Sequence, residues 1–175
     1  MNTFAYPARF AWQEGTWLIR FRDLPDAISQ AGVHEDVVDI AEGCLQATIE
    51  GRLEEGLDVP EPSEPRAGEV LVTLPIETAT KAALLKTVAA SGTTRVALGK
   101  ALDLDEKEIR RMLDPRHSSK LPRIERVLKA LGKQLQLSLV DAVKPPVPGP
   151  GKQEVRQKRA VYRAKRSLKK SARRR

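Results

Sequence analysis

Four charged side chains, Glu106, Lys107, Arg110 and Arg111, fall one helical turn or less apart behind a capping residue, Asp105. That pattern suits contact with a nucleic acid. A helix laid in a major groove reads base edges through the exposed side chains of its N-terminal half, and guanidinium groups bond guanine edges and phosphates alike. The run from Leu98 to Leu113 has the layout of a helix-turn-helix. Leu98, Leu102, Leu104, Ile109, Met112 and Leu113 take core-facing positions, and Gly99 supplies the small residue needed where the two helices cross. Asp103 stands where a turn glycine is common, and aspartate enters a left-handed turn more readily than most residues. Asp105 can cap the second helix, with Glu106 and Glu108 favoured by the dipole in its first turn. Arg110 and Arg111 are the foremost candidates for contact with DNA. Thr93, Thr94 and Arg95 open the preceding helix, where free amides and a hydroxyl can hold a phosphate. Arg116, His117, Ser118 and Lys120 make a second candidate backbone contact, although a solvated loop explains that stretch nearly as well. An amphipathic bundle with a charged, solvated face is the competing explanation of the whole pattern.

Catalysis finds less support. The chain holds two histidines and one cysteine, with no Gly-rich phosphate loop and no His/Cys spacing that suits a metal. His117 has no candidate catalytic partner near it in sequence. No catalytic residue, no metal site and no cofactor is expected. Acids of the first half, among them Asp23, Asp26, Glu35, Asp36, Asp39, Glu42, Glu50, Glu54 and Glu55, can in principle gather around Mg²⁺ in a nuclease. Most of them lie on the outer face of an amphipathic helix, where a solvated or partner-facing role fits better. Cys44 lies on that helix's apolar stripe and reads as core packing in preference to a reactive thiol.

Charge is divided unevenly along the chain. Residues 1–67 carry 5 Lys/Arg against 13 Asp/Glu, residues 68–144 carry 14 against 9, and residues 145–175 carry 12 against 1. The acidic end is suited to a basic partner and the basic end to a polyphosphate. A single cysteine excludes an internal disulfide and points to a reducing cytosol. The N-terminus lacks the pattern of an export signal and no apolar run approaches a membrane span, so a cytoplasmic protein without membrane contact is expected.

These residues need elements to place them. Phe4, Tyr6, Phe10 and Trp12 alternate as on a strand with one apolar face, and Pro7 suggests that this strand lies at a sheet edge. A turn at Gln13-Glu14-Gly15 leads into a second alternation at Trp17, Ile19 and Phe21, which predicts a hairpin. Residues 27–31 read as a third strand, residues 33–53 as a long amphipathic helix closed by Gly56, and residues 70–74 as a fourth strand. This β-β-β-α-β unit ends near Pro75. Helices follow over residues 76–91, 93–102, 105–113 and 121–131. Residues 134–140 then alternate as a strand with no local partner. That predicts a dimer formed through Leu135, Leu137 and Leu139 of two chains. Beyond Lys144 the composition is basic and poor in apolar residues, and a disordered tail is expected. The expected class is α+β, with units at 1–75, 76–143 and 144–175.

Several segments together resemble the HicB family of antitoxins, in its helix-turn-helix form. They are Phe4-Ala5-Tyr6-Pro7-Ala8-Arg9-Phe10, the stretch from Trp17 to Ala27, the helix end Glu50-Gly51-Arg52-Leu53-Glu54-Glu55-Gly56, the stretch from Met112 to Leu121, and Ala130-Leu131-Gly132-Lys133-Gln134-Leu135. The resemblance covers roughly residues 4–142. It implies a partial, inactive ribonuclease-H-like fold for the first unit. That unit would bind and occlude a HicA-like toxin, a small basic ribonuclease that cleaves mRNA. It implies a second unit that dimerises and represses its own operon at operator DNA. An acidic surface suits a toxin that must itself bind RNA. Charge and exposure make Trp12, Glu14, Glu35, Asp36, Asp39 and Glu42 the candidate toxin contacts. Two other functions fit the same residues: a free-standing transcription regulator with a ligand-sensing first domain, and a Mg²⁺-dependent nuclease relying on Asp23 or Asp26.

Overall fold

The computed structural model describes residues 4–144. The aromatic alternation forms a hairpin, β1 (Ala5–Gln13) and β2 (Thr16–Phe21), with Trp12 opposite Trp17. Glu14 and Gly15 both have positive φ, 50° and 86°. That is the mirror-image turn whose twist matches the strands it joins. β3 (Ile28–Ala31) pairs with β2, and β4 (Glu69–Thr73) pairs with the other side of β1. All pairings are antiparallel and the order is β3-β2-β1-β4.

This order corrects the edge position expected for the Pro7 strand, because β1 lies inside the sheet. The Pro7 carbonyl accepts from the Arg22 amide at 3.2 Å, one pair beyond the last β1–β2 partners, Ala8 and Phe21. The bond that proline cannot return would therefore fall at the end of the ladder, where its loss disturbs no further pairing.

One face of the sheet is covered by α1 (Val37–Glu55). The helix begins later than the apolar pattern suggests, because the Asp36 carboxylate accepts from the amides of Val38 and Asp39 and caps it there. Gly56, at φ 68°, ends it. Val37, Ala41, Leu45 and Ile49 of α1 pack on Tyr6, Ala8, Trp17, Ile19, Phe21 and Val72. The Pro-rich connector to β4 is pinned to this unit. Val59 is buried, the Tyr6 hydroxyl donates to the Pro60 carbonyl at 2.8 Å, and Ser63 donates to Asp23.

Four further helices complete the described chain: α2 (Ile76–Ser91), α3 (Arg95–Leu102), α4 (Glu106–Met112) and α5 (Leu121–Ala130). Their core joins Leu84, Leu98, Leu102, Ile109, Met112, Ile124, Val127 and Leu128. α2 serves both cores, with Ala82 in the first and Leu84 in the second. Its Thr78 hydroxyl donates to Glu50 of α1 at 2.9 Å, and its Lys86 ammonium donates to the Val59 carbonyl.

Residues 134–140 form no hydrogen-bonded strand within the chain. Leu135 packs partly against the helical core, whereas Leu137 and Leu139 project, at 58 % and 103 % exposure. Ser138 and Leu139 pass beside Thr73 of the edge strand β4 without forming a ladder with it. The tail expected at residues 145–175 lies outside the described residues. Among those described, no helix is long and apolar enough to cross a membrane.

Candidate functional site

The helices α3 and α4 meet through a tight turn, and each feature of that turn has a local cause. Asp103 ends α3 in the left-handed region, at φ 52° and ψ 51°. The Leu104 amide then donates back to the Gly99 carbonyl at 2.9 Å. The Asp105 carboxylate accepts from the Lys107 amide at 2.9 Å and so starts α4. Gly99 is required by contact: a Cβ there would lie 2.8 Å from the Leu104 carbonyl oxygen. With Ile109 and Met112 facing the core, Glu106, Lys107, Arg110 and Arg111 share the exposed face of α4. Glu108 instead turns toward α5, 3.6 Å from Arg123.

The flanking candidates are placed less uniformly. The Thr94 hydroxyl accepts from the Ala97 amide at 3.2 Å, and the Thr93 amide donates to the Ser91 hydroxyl, so both groups have partners inside the chain. Arg95 is exposed at the start of α3. After α4, Ser118 and Lys120 are exposed and His117 is half-buried. Arg116 is exposed, and its guanidinium reaches α1 and donates to Glu54 at 2.8 Å. The pairing holds the Glu54 carboxyl below its ordinary range and raises the Arg116 guanidinium.

Lys81 of α2 carries no mark of function in the sequence. Its ammonium is buried and donates to the Met112 carbonyl at 2.8 Å, the Asp114 carbonyl at 3.2 Å and the Ser119 hydroxyl at 3.1 Å. Burial lowers its pKa, with Asp114 opposing that effect. These bonds use all three donors of the ammonium and tie the C-terminal end of α4, with the loop after it, to α2. A lysine three residues after Thr78 on the buried side of α2 is the one trace of this role in the sequence.

The acidic candidates lie at the opposite end of the chain. Ala31 pairs with Trp17 and Trp17 with Trp12, so the hairpin turn and the run into α1 occupy the same end of the sheet. Trp12 and Trp17 pack edge to face, with centroids 5.1 Å apart, and Glu14 is exposed in the turn beside them. Asp36 caps α1 and Glu35 accepts from the Gly32 amide, while Asp39 is exposed. Glu42 has its carboxyl pushed up by burial, then by the neighbouring charges of Asp39 and Asp36. The segment 138–143 runs beside this end of α1, with a groove of about 500 Å³ against Asp36, Val38, Asp39, Glu42 and Thr73. Cys44 is half-buried against the first core, and burial pushes its thiol up, which keeps it protonated.

The two acids on which a Mg²⁺-dependent nuclease would rely, Asp23 and Asp26, are engaged elsewhere. Asp26 makes a two-pronged contact with Arg52, at 2.9 and 3.0 Å, and Asp23 takes bonds from the Ser63 amide and hydroxyl. Both contacts fasten the loop after β2, one to the end of α1 and the other to the connector.

Comparison with known proteins connects both halves. A family model described as the HicB-like antitoxin of bacterial toxin-antitoxin systems matches residues 5–83. Antitoxin HicB 2 of Photorhabdus laumondii is 32% identical over 132 residues, 75% of this chain and 94% of that protein. The chain belongs to the HicB antitoxin family. Antitoxin HicB 1 of the same organism is 29% identical over 73% of the chain and 81% of its own length, and antitoxin HicB of Escherichia coli 27% over 73% and 92%. The HicB family model spans the sheet, α1 and the first half of α2. A single stretch covering 75% of 175 residues also takes in the helices that follow, so the likeness to the HicB relatives includes the α3–α4 pair.

Proposed function

We propose that this chain neutralises a small basic, HicA-like ribonuclease toxin by binding it, and represses its own operon by binding operator DNA. In this reading residues 1–75 form a toxin-binding unit with a partial ribonuclease-H-like fold. Residues 76–143 form the DNA-binding and dimerisation unit, and residues 144–175 a basic tail. Neither role calls for catalysis or a cofactor. The observation that carries the DNA-binding half is the α3–α4 turn. Gly99, Asp103 and Asp105 build a close crossing there and leave Glu106, Lys107, Arg110 and Arg111 on one open face. That is the arrangement a helix-turn-helix uses in the major groove, where arginine bonds guanine or phosphate.

Family membership and the acidic charge of residues 1–67 support the toxin-binding half. A toxin that grips RNA presents basic side chains, and an acidic surface both steers toward it and competes with its substrate. Trp12, Glu14, Asp39 and Glu42 are the residues best placed to touch it. The exposed leucines at 137 and 139 support pairing of residues 134–140 with the same segment of a second chain. A dimer would then present two copies of α4 to successive major grooves.

The test of the DNA-binding half is titration of the chain onto the duplex upstream of its own gene. Replacing Arg110 and Arg111 by Gln is expected to weaken binding by about 1–3 kcal/mol for each base that the shorter, uncharged side chains no longer reach. Unchanged affinity would remove α4 as the reading helix.

A further inference from the structure

Arg116 lies in the loop that follows α4, where a helix-turn-helix meets the DNA backbone, yet its guanidinium is already held. It donates to Glu54 Oε2 at 2.8 Å, across 62 positions of sequence, and Glu54 belongs to α1, the helix that covers the acidic unit's sheet. The Arg116 amide donates to the Asp114 carboxylate at 3.0 Å, and Lys81 grips the Asp114 carbonyl and Ser119, so the loop is fixed while the Arg116 side chain stays 75 % exposed. A phosphate and a carboxylate ask the same thing of a guanidinium, a planar pair of N–H donors. The Glu54 contact is single-pronged, through Nη2, and a phosphate seated on the same edge of the guanidinium competes with it.

We propose that Glu54 occupies on Arg116 the place a DNA phosphate takes, so that α1 of the acidic unit sets the DNA affinity of the basic one. The proposal rests on the DNA-binding reading and adds a determinant that lies outside the helix-turn-helix. A phosphate that takes the Nη2 edge of Arg116 must first displace Glu54 from it. An exposed ion pair of this kind sets the scale, about two- to fivefold in affinity for each bound α4 loop. The charges facing Arg116 are the Glu54 carboxylate and that of Asp114, and Asp114 remains when Glu54 is changed.

The test uses the full chain and its own upstream duplex, with affinity measured over a salt series for the wild type and four variants. Glu54→Gln is expected to bind about two- to fivefold more tightly. Glu55→Gln removes the same charge one residue along and is expected to bind nearly as the wild type does. Arg116→Gln is expected to bind more weakly, with the slope of log affinity against log salt shallower by about one per loop. Glu54→Gln in the Arg116→Gln background is expected to change nothing further, because Glu54 acts through Arg116. The proposal fails if Glu54→Gln binds no better than the wild type, or if it tightens binding equally when Arg116 is absent. A wild-type chain that binds no duplex would overturn the DNA-binding reading and the proposal with it. A wild type that binds while Glu54→Gln matches it would sink the proposal alone.

Discussion

Gly99 and Gly43 are both helical glycines, and the structure predicts opposite effects when each becomes alanine. At Gly99 the added methyl would sit 2.8 Å from the Leu104 carbonyl oxygen and 3.7 Å from Ile109 Cγ1. Leu104 has little room to retreat. Its amide donates to Gly99, Asp103 before it is in the left-handed region, and Asp105 after it caps α4. Crowding of this kind costs about 1–3 kcal/mol, and alanine recovers about 1 kcal/mol of helix propensity, leaving a net penalty of roughly 1 kcal/mol. At Gly43 in α1 nothing lies within 4 Å of the added Cβ, so only the propensity gain of about 1 kcal/mol remains. The two variants should therefore differ by roughly 2 kcal/mol, or about 4–8 °C in Tm for a chain of this size. Thermal melts by circular dichroism measure the difference, and operator titration should show that Gly99→Ala alone weakens DNA binding. Equal stabilisation by both substitutions would refute the close crossing of α3 and α4.

Lys81→Met keeps the packing but strips the Met112 and Asp114 carbonyls and the Ser119 hydroxyl of their shared donor. Urea melts should show a loss of about 2 kcal/mol, reduced somewhat by relief of the buried ammonium, and an unchanged midpoint would contradict the clamp. The Asp26 carboxyl is held below its ordinary range chiefly by its bond to Arg52. The stability it contributes is thus complete above the unfolded-state pKa and lost as pH falls through the folded-state value. The stability gap between the wild type and Asp26→Asn should be widest near neutrality and close below about pH 4, and a gap that stays flat into acid would rule the pair out as a contributor. A chain ending at Lys144 loses 12 Lys/Arg and 1 Asp/Glu. If the tail adds phosphate contacts, the truncated chain binds its operator with a shallower salt slope, by about 0.9 per contact, and an unchanged slope would leave the tail without a part in DNA binding.

What the sequence made legible was local. Alternating rings from Phe4 to Phe21 are enough to expect a hairpin, and Gly56, Gly92 and Asp103 mark helix ends because few residues tolerate the backbone those ends require. Asp105 and Gly99 carry the α3–α4 turn for equally local reasons. Sheet order is different in kind. Pro7 suggests an edge, but the strand that covers β1 arrives some sixty residues later, and no local pattern reveals it. Lys81 reads as a solvated charge because most lysines are; its three acceptors come from residues 112–119, distant in sequence. Arg116 stands out by its basic surroundings, while its partner, Glu54, belongs to a helix whose acids all look alike before the chain folds. Residues 134–140 alternate as a strand would, yet they pair with no strand of the described chain.

If this HicB-family chain inhibits a small basic ribonuclease, the two should stay bound to one another in the cell. The most direct measurement is co-purification of the tagged full chain from its native cells, with each recovered small basic protein then expressed alone and together with the chain. One such protein is expected in near-stoichiometric amount, which arrests growth and cleaves mRNA alone and is silenced by this chain but not by a variant with Asp39 and Glu42 changed to Lys. Growth arrest that persists when the two are expressed together, or no bound basic protein at all, would contradict the inhibitor role.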